Sequence, residues 1–292
     1  MPVALAQAFE GKLSTVSIAD VGAMALYEGG VDRGRPLVLI HSINAAPSAM
    51  EVKPLFEAFC NDRPVYAPDL PGFGLSPRMA RRYDTALFTQ AICGLLHHLS
   101  NHHALAPDIV ALSLSGEFIA RAIVEHGVPC HRLVLISPTG LSRRTPPAPG
   151  SFDWVKRLPG SAFLGRSLFK LLTSRRSVSY FLNKAFTLTA PTELIEYALQ
   201  TTRVKGAEYA PLSFLSMGLF SPNALDNLYA QLKLPTLLIY DTDPNVDFDR
   251  LPELISCNSW VRAERITPTR GLPHWEKPRE TQTAIAEFLA TP

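Results

Sequence analysis

A chain of 292 residues that is 47% hydrophobic and 18% charged can bury one large core, or one core carrying an insertion, without disulfides or a structural metal. Its net charge of +2 gives no field suited to a polyanion, which excludes a dedicated nucleic-acid surface. The four cysteines, Cys60, Cys93, Cys130 and Cys257, form no C-x-x-C pair and read as small hydrophobes in a reducing compartment.

Met1 to Glu10 carry no signal-peptide pattern and no later run approaches membrane-spanning length, so the expected location is cytoplasmic. Apolar runs bounded by turn residues predict strands at Pro36 to His41, Val65 to Asp69, Asp108 to Leu112, Arg132 to Ser137 and Thr236 to Asp241, with a last strand around Trp260 to Ile266. Several are apolar on both faces, as in a parallel sheet covered by helices. Leu87, Ile92, Leu95, Leu96 and Leu99 stand at helical spacing and predict a helix over Thr85 to Leu99. Further helices are expected over Glu117 to Glu125 and Glu280 to Leu289. This alternation predicts an α/β fold with a mostly parallel, doubly wound sheet. Residues 142–230 break the rhythm. They open on the proline-rich Arg143-Arg144-Thr145-Pro146-Pro147-Ala148-Pro149-Gly150 and continue as helical sequence, so the expected division is a core of residues 1–141 and 231–292 with an inserted helical cap, or lid, between.

The strand Asp108 to Leu112 runs without a spacer into Ser113 and then a helix. Ala111 and Ser115, two residues to either side of Ser113, are small, as required where a sharp strand-to-helix turn strains its central residue and exposes its side chain. Gly116 leaves further room for the helix to pack on the strand. The plainer alternative is that Ser113 is an N-cap of the helix.

Five blocks, covering the chain from about Val16 to its end, resemble the α/β-hydrolase superfamily in order and spacing. Val38-Leu39-Ile40-His41-Ser42 resembles the family's apolar strand ending in His-Gly. Asp69-Leu70-Pro71-Gly72-Phe73-Gly74-Leu75-Ser76 is close to its D-x-x-G-x-G-x-S turn. The Ser113 elbow, Leu133 to Pro138, and Leu237 to Pro244 with Pro273 to Pro278 complete the set. Asp69 is expected to order its loop rather than to do chemistry.

The resemblance implies a serine nucleophile, a carboxylate and a histidine in that chain order. A hydroxyl needs a base to take its proton and an acid to hold that base in the right tautomer. Ser113 takes the place of the nucleophile. Asp243, immediately before Pro244, is the better match for the acid, with Asp241 and Asp247 as alternatives. Many members end in a block resembling G-H-x-P-H-W-E, whose first histidine is catalytic. Here the block reads Arg270-Gly271-Leu272-Pro273-His274-Trp275-Glu276, so the catalytic position falls on Gly271. Of the eight histidines only His274 follows the acid, and a loop shift of about three residues would be needed to bring its imidazole to Ser113. The alternative is that His274 is structural and the base is missing. Oxyanion donors are expected from the backbone N–H groups of Leu114 and Ile43, with the Ser42 and Asn44 side chains as auxiliary candidates.

A serine at the elbow argues against the dehalogenase and epoxide-hydrolase branches, which use a carboxylate nucleophile, and leaves acyl chemistry. The cap segment Phe152 to Leu172 pairs an apolar stripe with basic residues, followed by Arg175 and Arg176. It reads as a lid helix with a solvated basic face, or as a weak contact with a membrane surface. Phe181, Phe186, Phe214, Leu215, Met217 and Phe220 are pocket-lining candidates. The expected activity is a serine hydrolase acting on a hydrophobic carboxylic ester or thioester through an acyl-enzyme, with no cofactor and no metal. The alternatives are a noncatalytic, receptor-like member and a non-hydrolytic lyase.

Overall fold

The computed structural model describes residues 5–143 and 169–291. The run 144–150 and the amphipathic stretch from Phe152 to Leu168 therefore lie outside the described residues.

Eight strands form one sheet: β1 (Lys12–Ile18), β2 (Gly22–Gly29), β3 (Leu37–Ile40), β4 (Val65–Pro68), β5 (Asp108–Leu112), β6 (Arg132–Ile136), β7 (Thr236–Thr242) and β8 (Val261–Arg270), in the order β1-β2-β4-β3-β5-β6-β7-β8. From β4 to β8 neighbouring strands are parallel, while β1 and β2 are antiparallel additions at one edge. The sequence reading did not single out that hairpin. Only Val16 of β1 is buried, so its side chains carry little of the apolar signal that marks the central strands.

Strand periodicity divides the core. Val38, Ile40, Ile109, Ala111, Leu133 and Leu135 face one layer, where they meet Leu95 and Leu96 of α2 (Thr85–Ser100) and Phe118 and Ile119 of α3 (Ser115–His126). Their alternates Leu37, Leu39, Val110, Leu112, Val134 and Ile136 face the other, against Leu55 and Phe56 of α1 (Lys53–Phe59) and Ile285 and Phe288 of the C-terminal helix Pro278–Ala290. Truncating one of these buried leucines or isoleucines to alanine costs about 2–5 kcal/mol. The helix ends carry their own signals. Asp84 accepts the Leu87 N–H at 3.0 Å to open α2, and Gly127, at φ 62°, closes α3.

The described part of the insertion is helical, with Arg175–Lys184, Thr192–Thr201, Tyr209–Leu215 and Ala224–Asn227 between β6 and β7. Not all of the expected pocket residues point inward. Phe181 is 54% exposed, whereas Phe186 belongs to the core. Phe214 and Phe220 pack on each other at 5.8 Å between ring centroids, partly buried beside the core, and Leu215 and Met217 are half-buried. Among the described residues no helix is long and apolar enough to cross a membrane.

Candidate active site

Because β3, β5, β6, β7 and β8 run in the same direction, their C-terminal ends share one edge of the sheet. Ser42, Ser113, Ser137, Asp243 and Gly271 follow those ends. Ser113 sits between β5 and α3 with φ 49°, a left-handed conformation that a non-glycine residue adopts only where its surroundings enforce it. Its N–H donates to the Ile136 carbonyl at 2.9 Å and its carbonyl accepts the Gly116 N–H at 3.0 Å. The small neighbours are needed: a Cβ on Gly116 would lie 3.2 Å from Leu135 and 3.3 Å from the Tyr229 hydroxyl. Ser115 donates its hydroxyl to the His41 carbonyl at 2.6 Å, tying the elbow to the end of β3. Leu114 stands at the head of α3, where a backbone N–H has no intrahelical acceptor.

The loop after β3 is clamped from beneath. Glu51, 5% exposed, accepts the Ser42 N–H at 2.8 Å on one carboxylate oxygen and the Asn44 side-chain amide at 2.8 Å on the other, so it holds both neighbours of Ile43. Burial raises the Glu51 pKa, opposed by hydrogen bonds from Ser42 and Asn44. Asn44 also donates to the Ser42 hydroxyl at 2.8 Å and accepts the Ala46 N–H at 2.8 Å. Both amide hydrogens of Asn44 are thus committed, and its side chain braces the loop rather than facing an oxyanion. His41 is structural too. Its Nε2 accepts the Leu70 N–H at 2.9 Å, so Nδ1 carries the proton and donates to the Ser42 carbonyl at 2.6 Å. Burial pushes its pKa down to about 4.

Asp69 accepts the Ala49 N–H at 2.8 Å and the Leu75 N–H at 2.7 Å, and a Cβ on Gly74 would lie 1.9 Å from its carboxyl carbon. The D-x-x-G-x-G-x-S turn is therefore a backbone lock, with Gly74 required by close approach. Beside it, between the clamped loop and the cap, lies a small cleft lined by Ala46, Phe73, Arg78, Phe169, Thr201 and Pro211.

On the acid side, Asp243 accepts the Asn245 N–H at 2.7 Å and the Val246 N–H at 3.1 Å, both on Oδ1. Burial raises its pKa against those hydrogen bonds and the attraction of Arg270. Asp241 instead pairs with Arg265 at 2.7 Å and accepts the Thr269 N–H at 2.8 Å, fastening β7 to β8, and its pKa is lowered. The sequence choice between these two carboxylates is thus narrowed by what each already binds.

His274 requires a correction. It lies in the short turn Pro273–Glu276, fully buried, with Nε2 donating to the Glu51 carbonyl at 2.7 Å and Nδ1 without a partner. The Trp275 indole N–H donates to the same carbonyl at 2.7 Å. No three-residue shift brings the imidazole to Ser113, because the turn is pinned. The Trp275 N–H reaches the Leu272 carbonyl at 3.0 Å, the Lys277 N–H reaches the Pro273 carbonyl at 2.7 Å, and Glu276 accepts the Arg270 N–H at 2.5 Å and the Thr187 N–H at 2.6 Å. Burial holds His274 neutral, its pKa down to about 4. It anchors Glu51, and through Glu51 the loop that carries Ile43.

What stands at the family's histidine position is Gly271, at φ 89°. A Cβ added there would lie 2.8 Å from Asp243 Oδ2 and 3.7 Å from Ala185 of the cap. A side chain at position 271 would thus emerge against the carboxylate of Asp243, and none is present.

With this geometry in view, the comparisons with known proteins are specific about the fold. A family model described as the alpha/beta hydrolase family matches residues 37–281. The chain belongs to the α/β hydrolase family. A search of curated proteins returns no match. Among solved structures, a serine hydrolase involved in carbazole degradation (CarC) is 15% identical with a TM-score of 0.76, over 96% of this chain and 98% of that one. The carboxylesterase CesB from Bacillus subtilis is 16% identical with a TM-score of 0.72, over 97% and 92%. A bromoperoxidase from Bacillus anthracis is 18% identical with a TM-score of 0.72, over 96% and 100%. At these identities the likeness concerns the fold, and the chemistry must be argued from this α/β hydrolase's own residues.

Sequence reasoning passed over two groups at the same edge. Glu117, one turn into α3, is buried and accepts the Thr139 hydroxyl and, at 2.7 Å, the Ser221 N–H, joining the elbow helix to the cap. Ser137 follows β6 with φ 45° and a buried hydroxyl that lacks a partner. Continuing the pairing of Leu112 with Ile136 places Ser137 beside Ser113. Ser137 falls within the Leu133 to Pro138 block without a role implied for it, and the register of β5 with β6 is what sets it beside Ser113.

Proposed function

We propose that this α/β hydrolase acts on a carboxylic ester or thioester by attack of Ser113 on the acyl carbon, with the Leu114 and Ile43 N–H groups receiving the oxyanion and Asp243 as the carboxylate of the site. The observation that carries this reading is the left-handed backbone of Ser113 at the head of α3. Such strain is retained where an exposed hydroxyl is used, and an N-cap does not need it. The clamp of Glu51 on both flanks of Ile43 supports it, because a preorganised oxyanion donor is useful only to a carbonyl that becomes tetrahedral.

In this reading Ser113 Oγ loses its proton and bonds to the acyl carbon, the carbonyl electron pair moves onto oxygen, and collapse breaks the bond to the leaving oxygen or sulfur, which takes up a proton and departs as the alcohol or thiol. Water then releases the acid. His274 takes no part in proton transfer. The half-buried phenylalanines and Met217 of the cap favour a hydrophobic substrate portion. A fluorophosphonate probe should label the wild-type protein at Ser113 and leave Ser113→Ala unlabelled, and a panel of aryl esters should show Ser113-dependent release of the phenol. Labelling of Ser113→Ala at the wild-type rate would defeat the assignment.

A second reading, a noncatalytic ligand-binding protein, is favoured by one observation: Gly271 supplies no imidazole between Ser113 and Asp243. It predicts that the aryl esters bind without turnover and that no probe adduct forms.

A further inference from the structure

No histidine of this chain is placed to serve Ser113. His41 is buried with both nitrogens on backbone groups, and His274 is buried with Nε2 on the Glu51 carbonyl and Nδ1 without a partner. His97 and His98 lie in the last turn of α2 and His126 ends α3, twelve residues and about 18 Å of helix from the elbow. His102 bonds the His98 carbonyl, His103 the Tyr66 hydroxyl, and His131 bonds Asp108, at the opposite end of β5 from Ser113.

Yet the acid is kept. Asp243 Oδ1 is taken by two backbone N–H groups, while among the described residues no hydrogen bond or ion pair reaches Oδ2, the oxygen that faces Gly271. Asp243 is half-buried, and Arg270 attracts it without forming an ion pair, so Oδ2 is left open to a hydrogen-bond donor. Between β5 and β7 stands the end of β6, so Ser113 and Asp243 follow strand ends two spacings apart, about 9–10 Å. In that interval lies Ser137, whose hydroxyl is buried and unsatisfied. A carboxylate oxygen open to solvent and a buried hydroxyl without a partner, beside a missing side chain, describe a place for a ligand group that donates hydrogen bonds.

We infer that the ligand brings the missing base: the site takes an ester or thioester whose acyl half carries a basic nitrogen, seated against Asp243 Oδ2 in the place that Gly271 leaves without a side chain. The inference rests on Ser113 being the nucleophile. In the first step the Ser113 Oγ–acyl carbon bond forms, the Oγ proton passes to the nitrogen lone pair, and Asp243 balances the resulting cation. The bond to the leaving oxygen or sulfur then breaks, and that atom takes the proton back. Water repeats the sequence: it gives a proton to the same nitrogen, bonds to the acyl carbon, and expels Ser113 Oγ, which recovers the proton. The nitrogen must belong to the acyl half, because a base on the leaving group departs before water is needed and leaves a stalled acyl-enzyme.

The test compares aryl esters of ω-aminoalkanoic acids, over a series of chain lengths, with neutral alkanoyl isosteres. At one or more lengths the amino ester should exceed its isostere by about 10²-fold in kcat/KM, as expected for a positioned general base. That advantage should grow about tenfold per pH unit below the amine pKa. Added imidazole should accelerate the neutral esters, a readout that needs no variant. In Asp243→Asn the ratio of amino to neutral ester should fall to about one. Equal rates for the paired esters at every length, with no imidazole effect, would overturn the inference while fluorophosphonate labelling of Ser113 leaves the nucleophile standing. Failure of that labelling would remove the nucleophile, and the inference with it.

Discussion

Replacing His274 by glutamine separates a histidine that fastens the oxyanion loop from one that takes the Ser113 proton. The imidazole Nε2–H donates to the Glu51 carbonyl at 2.7 Å, a bond that a glutamine side-chain amide is able to replace. The Trp275 N–H stays on the same carbonyl, so Glu51 keeps one donor even when the second is lost. His274→Gln should therefore lose about 1 kcal/mol or less of stability. His274→Ala should lose about 3 kcal/mol, about 1 for the hydrogen bond and about 2 for the cavity left by the ring. Neither should change the rate of fluorophosphonate labelling by more than about tenfold, since only the tightness of the Ile43 loop is affected. Removing a general base from a working triad costs on the order of 10⁴-fold or more. Stability is read by urea unfolding and labelling by pseudo-first-order adduct formation in intact-mass spectra. A loss of labelling beyond about 10³-fold in His274→Gln, with unfolding unchanged, would refute the placement of this histidine in the loop anchor.

The same side chain predicts a pH effect. His274 is held neutral with a folded pKa of about 4 against an ordinary 6.5, so its contribution is fully present above about pH 6.5 and is lost as the pH falls toward 4, where the unfolded chain binds the proton and the folded one does not. Between pH 7.5 and 5 this amounts to about 2 kcal/mol, and the stability difference between those two pH values should shrink by that amount in His274→Gln. Glu51→Gln places an amide where the Ser42 N–H and the Asn44 amide both need acceptors. It should cost about 1–3 kcal/mol and slow labelling of Ser113, measured side by side with Glu51→Ala. Gly271→Ala should cost about 2 kcal/mol in urea unfolding, because φ 89° is unfavourable for any side chain and the new Cβ meets Asp243 at 2.8 Å; an unchanged midpoint would show that the loop relaxes freely. By contrast Asp241→Asn, on the exposed Arg265 side of β7, should leave labelling within about twofold while lowering stability by about 1 kcal/mol.

Much of the architecture is written locally. The runs Leu37 to Ile40, Ile109 to Leu112 and Leu133 to Ile136 are apolar on both faces, a composition suited to a covered parallel strand. Small residues at Ala111 and Ser115 similarly encode the elbow, since its backbone tolerates nothing larger. The loss of the family histidine at Gly271 was also visible in the sequence, because it is an identity at a position. Whether His274 could replace it was not. That depended on Arg270, Leu272, Pro273 and Glu276 pinning the turn, and on a carbonyl of Glu51, 223 residues away in sequence, accepting the imidazole proton. The same holds for Asp241 and Asp243: two residues apart in sequence, they are told apart by Arg265 and Thr269 on β8 and by Gly271 beyond it. Sequence by itself determined which side chains exist at the sheet's C-terminal edge, because strand propensity and turn sterics act over a few residues. Only the tertiary structure decided which of their hydrogen-bonding groups are already spent, because those partners arrive from distant strands and the cap.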